Sequence, residues 1–258
     1  MNQLRPVGDQ LRDWRQRRRL SQMDLALDAD ISTRHLSFVE TGRAVPSRDL
    51  LLHLADQLGV PLRDRNALLL AAGYAPAYGE RSLDDPALAP ARVAIDLVLK
   101  AHEPLPALAV DRHWNLVAAN GAIGPFLDGV APGLLAAPIN VLRLSLHPQG
   151  LAPRILNLAE WHAHILERLR QQIAATADAG LIDLHAELSS YPAPEQKDAH
   201  ADYGGVVVPL RLRTPAGDLS FFGTVTVFGT PVDVTLSELA IEAFFPADEA
   251  TTKILRGI

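Results

Sequence analysis

Nine histidines and thirty Asp and Glu residues are the groups from which a metal site or an acid–base dyad would be built. Their spacing assembles neither. His162 and His164 lie two apart in Trp161-His162-Ala163-His164, on a stretch of helical periodicity where i and i+2 side chains do not share a face. Asp183 and His185 stand in the same relation. No HExxH run occurs, and no His/carboxylate cluster has ligand spacing. There is no cysteine, so disulfides and thiolate ligands are excluded. The glycines of GYAPAYG and GDLSFFG do not make a phosphate loop, and no G-x-S-x-G elbow is present. No catalytic residue, metal or cofactor is therefore expected. The spacing does supply helix-capping oxygens in an Arg-rich region. Ser21-Gln22-Met23-Asp24 resembles a capping box, and Ser32 and Ser47 precede further apolar-periodic runs.

These residues need elements to hold them. Gly8–Arg19 places Leu11, Trp14 and Arg18 on one helical face. A second helix follows Ser21, with Leu25 and Ala26 inward. A third follows Ser32, buries Leu36 and Val39, and stops at Gly42. Pro46-Ser47 opens a fourth, with Leu50, Leu51, Leu54, Ala55 and Leu58 at helical spacing up to Gly59. Pro61 opens a fifth, through Leu68, Leu69 and Ala72 to Gly73-Tyr74. Residues 1–75 thus read as a compact all-α domain. Residues 76–90, rich in Pro, Gly and Asp, read as a linker. Residues 91–258 read as a second domain. In it, Ala91–His102 is helical, and Leu108–Val110 and Leu116–Ala119 flank a turn at Asp111-Arg112-His113 as a β-hairpin. Helices follow, strongest over Ala152–Ala175 and Leu181–Ser189. Strands are expected over Val206–Arg213 and Leu219–Phe228, with Val232–Thr235 extending the sheet and Leu236–Phe245 open between strand and helix. Strands at both ends with helices between predict an α+β domain, its helices packed on an antiparallel sheet.

Charge divides the chain in the same place. Residues 1–48 hold nine Arg against six Asp and Glu, a surplus of +3, whereas the whole chain carries −6 and the remainder −9. A basic front on an acidic body suits a nucleic-acid partner at one end only. No apolar run reaches the roughly 18–20 residues of a membrane span, and the N-terminus lacks a signal-peptide pattern. A cytoplasmic protein with no membrane partner is the expectation.

SQMDLALDADISTRHLSFVETGRAVPS resembles the Cro/repressor-type, or XRE-type, helix-turn-helix, a likeness covering residues 8–72. It rests on Leu-Ser-Gln before the second helix, Leu-Ala within it, Ile-Ser before the third, and Glu-Thr-Gly-Arg followed by Pro-Ser. Asp30 stands where most relatives have Gly, at a turn that needs a left-handed backbone, which Asp tolerates better than most residues. The resemblance implies a regulator that binds double-stranded DNA as a homodimer. Ser32 would cap the recognition helix, and Thr33, Arg34 and Phe38 would occupy its base-reading face. Arg34 would pair with guanine and Phe38 pack on a thymine methyl. Gln22 would contact phosphate, as would His35, Arg43 and Arg48, the last with the minor groove as an alternative. Arg15 and Glu40 would form an internal ion pair. The bland alternatives are a solvated Arg face and a core role for Phe38.

HEPLPALAVDRHWNLVAANGAI, LHPQGLAPRILNLAEW and VDVTLSELAIEAFFPAD, together with the stretch from Glu40 to Tyr78, are similar to regulators that carry an MmyB-like ligand-binding domain. That likeness implies a PAS-like fold for 91–258, a sheet and helices enclosing an apolar cavity, and a fatty acid or similar acyl ligand. Trp114, Phe126, Trp161 and Phe222 are candidates for the apolar lining. Arg112, His113, His147, Arg154 and Asn157 are candidates for a carboxylate headgroup. In FGTVTVF the alternation puts Phe222, Thr224, Thr226 and Phe228 on one face, where small polar residues would either leave room for a ligand or face solvent. Two other readings stay open for this domain: a protein-interaction or dimerisation module without ligand, and an enzyme acting on its ligand.

Overall fold

The computed structural model describes residues 5–194, 208–229 and 231–256. The chain divides into two units. One gathers residues 1–81 with 174–176 and 231–237, and the other holds the rest.

The first unit contains five consecutive helices: α1 (Val7–Arg17), α2 (Gln22–Asp28), α3 (Thr33–Glu40), α4 (Arg48–Gln57) and α5 (Leu62–Ala71). The capping oxygens are used as their positions suggest. Ser21 and Asp24 form a complete capping box, Ser32 accepts from His35 N, and Ser47 accepts from Leu50 N. Gly42, Gly59 and Gly73 follow helix ends with positive φ. Asp30 takes the left-handed conformation, φ 50°, between α2 and α3. Leu11, Leu25, Leu36, Leu51, Leu54 and Leu69 have no exposed surface and form one core. Arg18 donates to Leu58 O and Gly59 O, satisfying carbonyls left open at the end of α4.

Part of the expected linker belongs to this unit. Asn66 of α5 binds Ala77 N, Tyr78 N and Tyr78 O, which fastens residues 77–78. Further on, Pro86–Leu88 forms a 3-10 turn that runs directly into α6 (Ala89–Ala101).

The second unit is built on a five-stranded antiparallel sheet: β1 (Ala107–Val110), β2 (Leu116–Ala119), β3 (Leu210–Thr214), β4 (Gly217–Val227) and β5 (Ala240–Pro246), in the order β2-β1-β5-β4-β3. Between β2 and β3 come α7 (Val141–Leu146), α8 (Leu158–Thr176) and α9 (Ala179–Ser189), with short 3-10 turns among them. α11 (Glu249–Arg256) follows β5, and its Thr251 Oγ1 accepts from Ser220 N of β4. Val110, Trp114, Leu142, Ile165, Leu169, Leu181 and Leu188 join sheet and helices in one core. This is the PAS-like α+β arrangement expected for the domain.

Of three local expectations, one is borne out, one lies partly outside the described residues and one is corrected. The hairpin expected between Leu108–Val110 and Leu116–Ala119 is present, and its connection spans Asp111 to Asn115, where Asp111 Oδ1 accepts from both His113 N and Asn115 N. Residues 206–207 of the strand expected at Val206–Arg213 lie outside the described residues. Val232–Thr235 does not extend the sheet: α10 (Val234–Ser237) forms instead, with Asp233 Oδ1 accepting from Thr235 N at its start. Asp233 makes a single parallel bridge to Gly79 and an ion pair with Arg81 at 3.4 Å. Val234 N donates to Gly79 O at 2.7 Å, and its side chain is fully buried in the helical unit.

Candidate nucleic-acid interface and ligand cavity

The third helix owes its position to contacts behind it. Leu36 and Val39 of α3 are fully buried, and Glu40 at its end is 1 % exposed. Glu40 takes a two-pronged pair from Arg15 of α1, 2.6 Å from Nε to Oε1 and 2.9 Å from Nη2 to Oε2. Gln22 of α2 donates to the same carboxylate at 2.7 Å. One buried anion thereby ties α1, α2 and α3 together. Burial alone would push its carboxyl up; the hydrogen bonds from Arg15 and Gln22 and the charges of Arg15 and Arg12 hold it below the usual range.

The opposite face of α3 is open. Ser32, Thr33 and Arg34 are exposed, and His35 and Phe38 are half-buried. Phe38 lies outside the core cluster, with the Arg34 guanidinium 5.3 Å and the Arg43 guanidinium 5.9 Å from its ring centre. Both arginines are thus gathered over one aromatic face, which limits the side-chain freedom they would lose on binding. Arg34, Arg43 and Arg48 form no ion pair among the described residues, so their charges stay available for phosphates or base edges. Of the expected DNA contacts, Arg34, Phe38 and Arg43 are brought together here, while Thr33 is exposed and His35 half-buried near the start of the same helix. Ser32 is occupied as a cap. Gln22 has one amide hydrogen committed to Glu40, which leaves the other for a phosphate. Arg48 is the first residue of α4 and is exposed.

In the second unit an apolar cavity of about 110 Å³ lies between the sheet and the helices. Its walls come from Pro106 and Leu108 of the first strand region, Leu210 and Leu212 of β3, Phe221 of β4, Phe244 of β5, Leu142 and Leu144 of α7, Trp161 and Ile165 of α8, and Ile123, Phe126 and Leu127 of the turn after β2. An apolar hollow of this order of size suits an apolar guest. A second hollow, lined by His102, Glu103, Thr252 and Arg256 among others, is about half polar and suits such a guest less well.

Two of the nine residues expected to touch ligand, Phe126 and Trp161, line the cavity. Seven do not. Trp114 is 2 % exposed in the core; its indole donates to Gln172 Oε1, and Arg168 stacks on its ring at 4.3 Å. Its backbone is left-handed, φ 67°, a strained conformation for a bulky residue that its surroundings enforce. His113 and Arg112 meet Asp178, which caps α9. Burial would push the Asp178 carboxyl up, but His113, Leu181 N and Arg112 hold it below the usual range. His147 accepts from Gln149 N and packs edge-on to Tyr191. Arg154 donates to Phe126 O, so it braces a wall without forming it. Asn157 links Pro209 O and Arg211 N, steadying the start of β3. Phe222 stacks on Phe245 on the other side of the sheet.

Sequence reasoning missed the polar groups of the cavity, Ser145 and Glu242. Alternation along β5 carries a signal for the second: Glu242 and Phe244 are two apart and share the cavity face. Ser145 sits on a six-residue helix, too short for a periodic signal. Glu242 accepts from Arg168 at 2.6 Å, and Ser145 Oγ accepts from the Trp161 indole at 3.0 Å. Burial, with Arg168 close by, holds His164 of the same α8 face below the usual imidazole range. Among the described residues no three His, Asp or Glu gather as a metal-binding group, and no helix is long and apolar enough to cross a membrane.

Comparison with known families agrees with this geometry. Residues 91–257 match the family described as MmyB-like transcription regulator ligand binding domain, and residues 6–68 match a helix-turn-helix domain. No curated protein matches the chain.

Proposed function

The chain belongs to the family of transcription regulators with an MmyB-like ligand-binding domain, and from that premise we propose that it reads a specific duplex DNA sequence as a homodimer and senses a fatty-acid-like or other acyl ligand. The supporting observation is the pairing of an open, cationic α3 face in one unit with an apolar cavity in the other. The eight residues of α3 span about 12 Å, a length that one major groove accommodates. Thr33, Arg34 and Phe38 are the base-reading residues of this proposal. Gln22, His35, Arg43 and Arg48 contact the backbone, and Ser32 holds the helix start. One such helix reads too few base pairs for useful specificity, so two copies would act on half-sites about one DNA turn apart.

Ligand shifts DNA affinity only by its differential affinity for the two states of the protein. The connection between β4 and β5, the strands carrying Phe221 and Phe244, runs through the helical unit as residues 231–237. It offers a covalent route by which a change in the sheet reaches the DNA-binding helices. The test has two arms. Selection from a random duplex library is expected to enrich a pseudo-palindrome; equal or absent binding of all duplexes at low salt overturns the regulator reading. Native mass spectrometry of the purified protein is expected to show a co-purifying or added acyl compound. A protein that takes up none is an interaction module, and one that converts the compound is an enzyme.

A further inference from the structure

Glu242 is the single charged residue among those lining the apolar cavity. Its side chain is 12 % exposed, and Arg168, which holds Oε1 at 2.6 Å, is not itself part of the wall. Glu242 thus joins the cavity wall while one of its oxygens is held by that cation. No described donor reaches Oε2. Its neighbours across the sheet, Leu108 of β1 and Val225 of β4, bring no charge. From α8 it faces Arg168 and, at electrostatic range, His164. The other polar wall group is Ser145, 9 % exposed. Its oxygen accepts from the Trp161 indole, while no described acceptor takes its proton. The cavity thus presents one unfilled acceptor and one unfilled donor in an otherwise apolar lining. Unmet polar groups in such a place favour a ligand that meets them.

We propose that the cavity selects an amphiphile whose polar end is a neutral hydrogen-bond donor, an O–H or N–H accepted by Glu242, with the Ser145 hydroxyl donating to an oxygen of the ligand. This rests on the acyl-ligand reading above and narrows it. A carboxylate headgroup would place a second negative charge beside Glu242 in a water-poor site, where like charges repel strongly. A fatty acid then enters only in its protonated form, whereas a long-chain amide or alcohol of the same length enters at any pH near neutrality.

The test displaces a neutral fluorescent naphthylamine from the full-length protein with dodecanamide, dodecanol and dodecanoate at pH 6 and pH 8. Amide and alcohol are expected to bind equally at both pH values. Dodecanoate is expected to weaken about 100-fold from pH 6 to pH 8, because its neutral fraction falls tenfold per pH unit above its pKa. Glu242→Gln is expected to abolish that pH dependence, and Ser145→Ala, which leaves the Arg168 pair intact, to weaken the amide several-fold at both pH values. If Glu242→Gln fails to fold, the wild-type comparison and Ser145→Ala decide alone. Dodecanoate binding equally at both pH values and tighter than the amide overturns the proposal and leaves the acyl-ligand reading standing. Failure of all three compounds to displace the probe overturns both.

Discussion

Glu40 keeps its charge at 1 % exposure because Arg15, Gln22 and Arg12 surround it. Breaking such a pair by removing one partner leaves the other buried and uncompensated, at a cost of about 3–5 kcal/mol. Glu40→Gln is therefore expected to lower the stability of the helical unit by that order in urea unfolding followed by circular dichroism. The sign with pH follows from its depressed folded pKa. The Glu40 contribution is complete above the unfolded value of about 4.3 and is lost as pH falls through the lower folded value. In the other unit, Glu187 is held down to about 2 by the Arg143 pair, with Tyr191 also donating to it. Burial and that same carboxylate push the Tyr191 phenol up to about 12. A raised phenol pKa adds stability that is complete below about pH 10 and lost through about pH 12. Ultraviolet titration of the native protein is expected to show a phenol that ionises only near pH 12, and Tyr191→Phe to remove that step. At the DNA face, Arg34→Ala is expected to cost about 1–3 kcal/mol on the selected duplex and to relax specificity at one base pair. A uniform loss across all sequences would instead make Arg34 a phosphate contact.

At the scale of elements, α1 meets the end of α3 backbone to backbone. A Cβ on Gly8 would lie 2.4 Å from Val39 O and 2.7 Å from Glu40 O, contacts that no side chain can make without moving one helix. Gly8→Ala is expected to destabilise the unit by about 1–3 kcal/mol in thermal unfolding, and to weaken DNA binding because α3, which carries the proposed base-reading residues, packs against α1 at this point. The helix starts were legible because a cap is a local event: Ser21, Ser32 and Ser47 each bond within three residues. The strand at Leu219–Phe228 was legible by its alternation, yet which of its faces turns toward the cavity was not. Phe221 lines the cavity and Phe222 stacks on Phe245, a choice made by β5 and by the helices over the sheet. Val232–Thr235 was misread as strand because its apolar residues suit one, while the partner of Asp233, Gly79, is remote in the chain.

For the whole molecule, a basic front on an acidic chain leaves DNA attraction to the helical unit. If the cavity is the sensing site, filling it should uncouple the two functions. Ile123 lines the cavity from a short 3-10 turn and is only half-buried, so a larger side chain there meets the void before it meets the core. Ile123→Trp is expected to weaken dodecanamide binding at least about tenfold and to make DNA affinity insensitive to the amide, with the protein still binding DNA in a mobility-shift titration. Retained sensitivity would place the sensing site elsewhere.

The sequence by itself determined the five helices of the first unit, the helix caps, the left-handed turn at Asp30 and the family, because each depends on short-range bonding or on motifs contiguous in the chain. Only the tertiary structure decided which side chains share a cavity wall. Ser145, Trp161, Phe221 and Glu242 come from α7, α8, β4 and β5, and sheet pairing with helix packing brings them together across nearly a hundred residues of chain. Five polar residues with headgroup chemistry were instead consumed by nearer structural partners, since a buried or half-buried polar group bonds to whatever the fold places within reach.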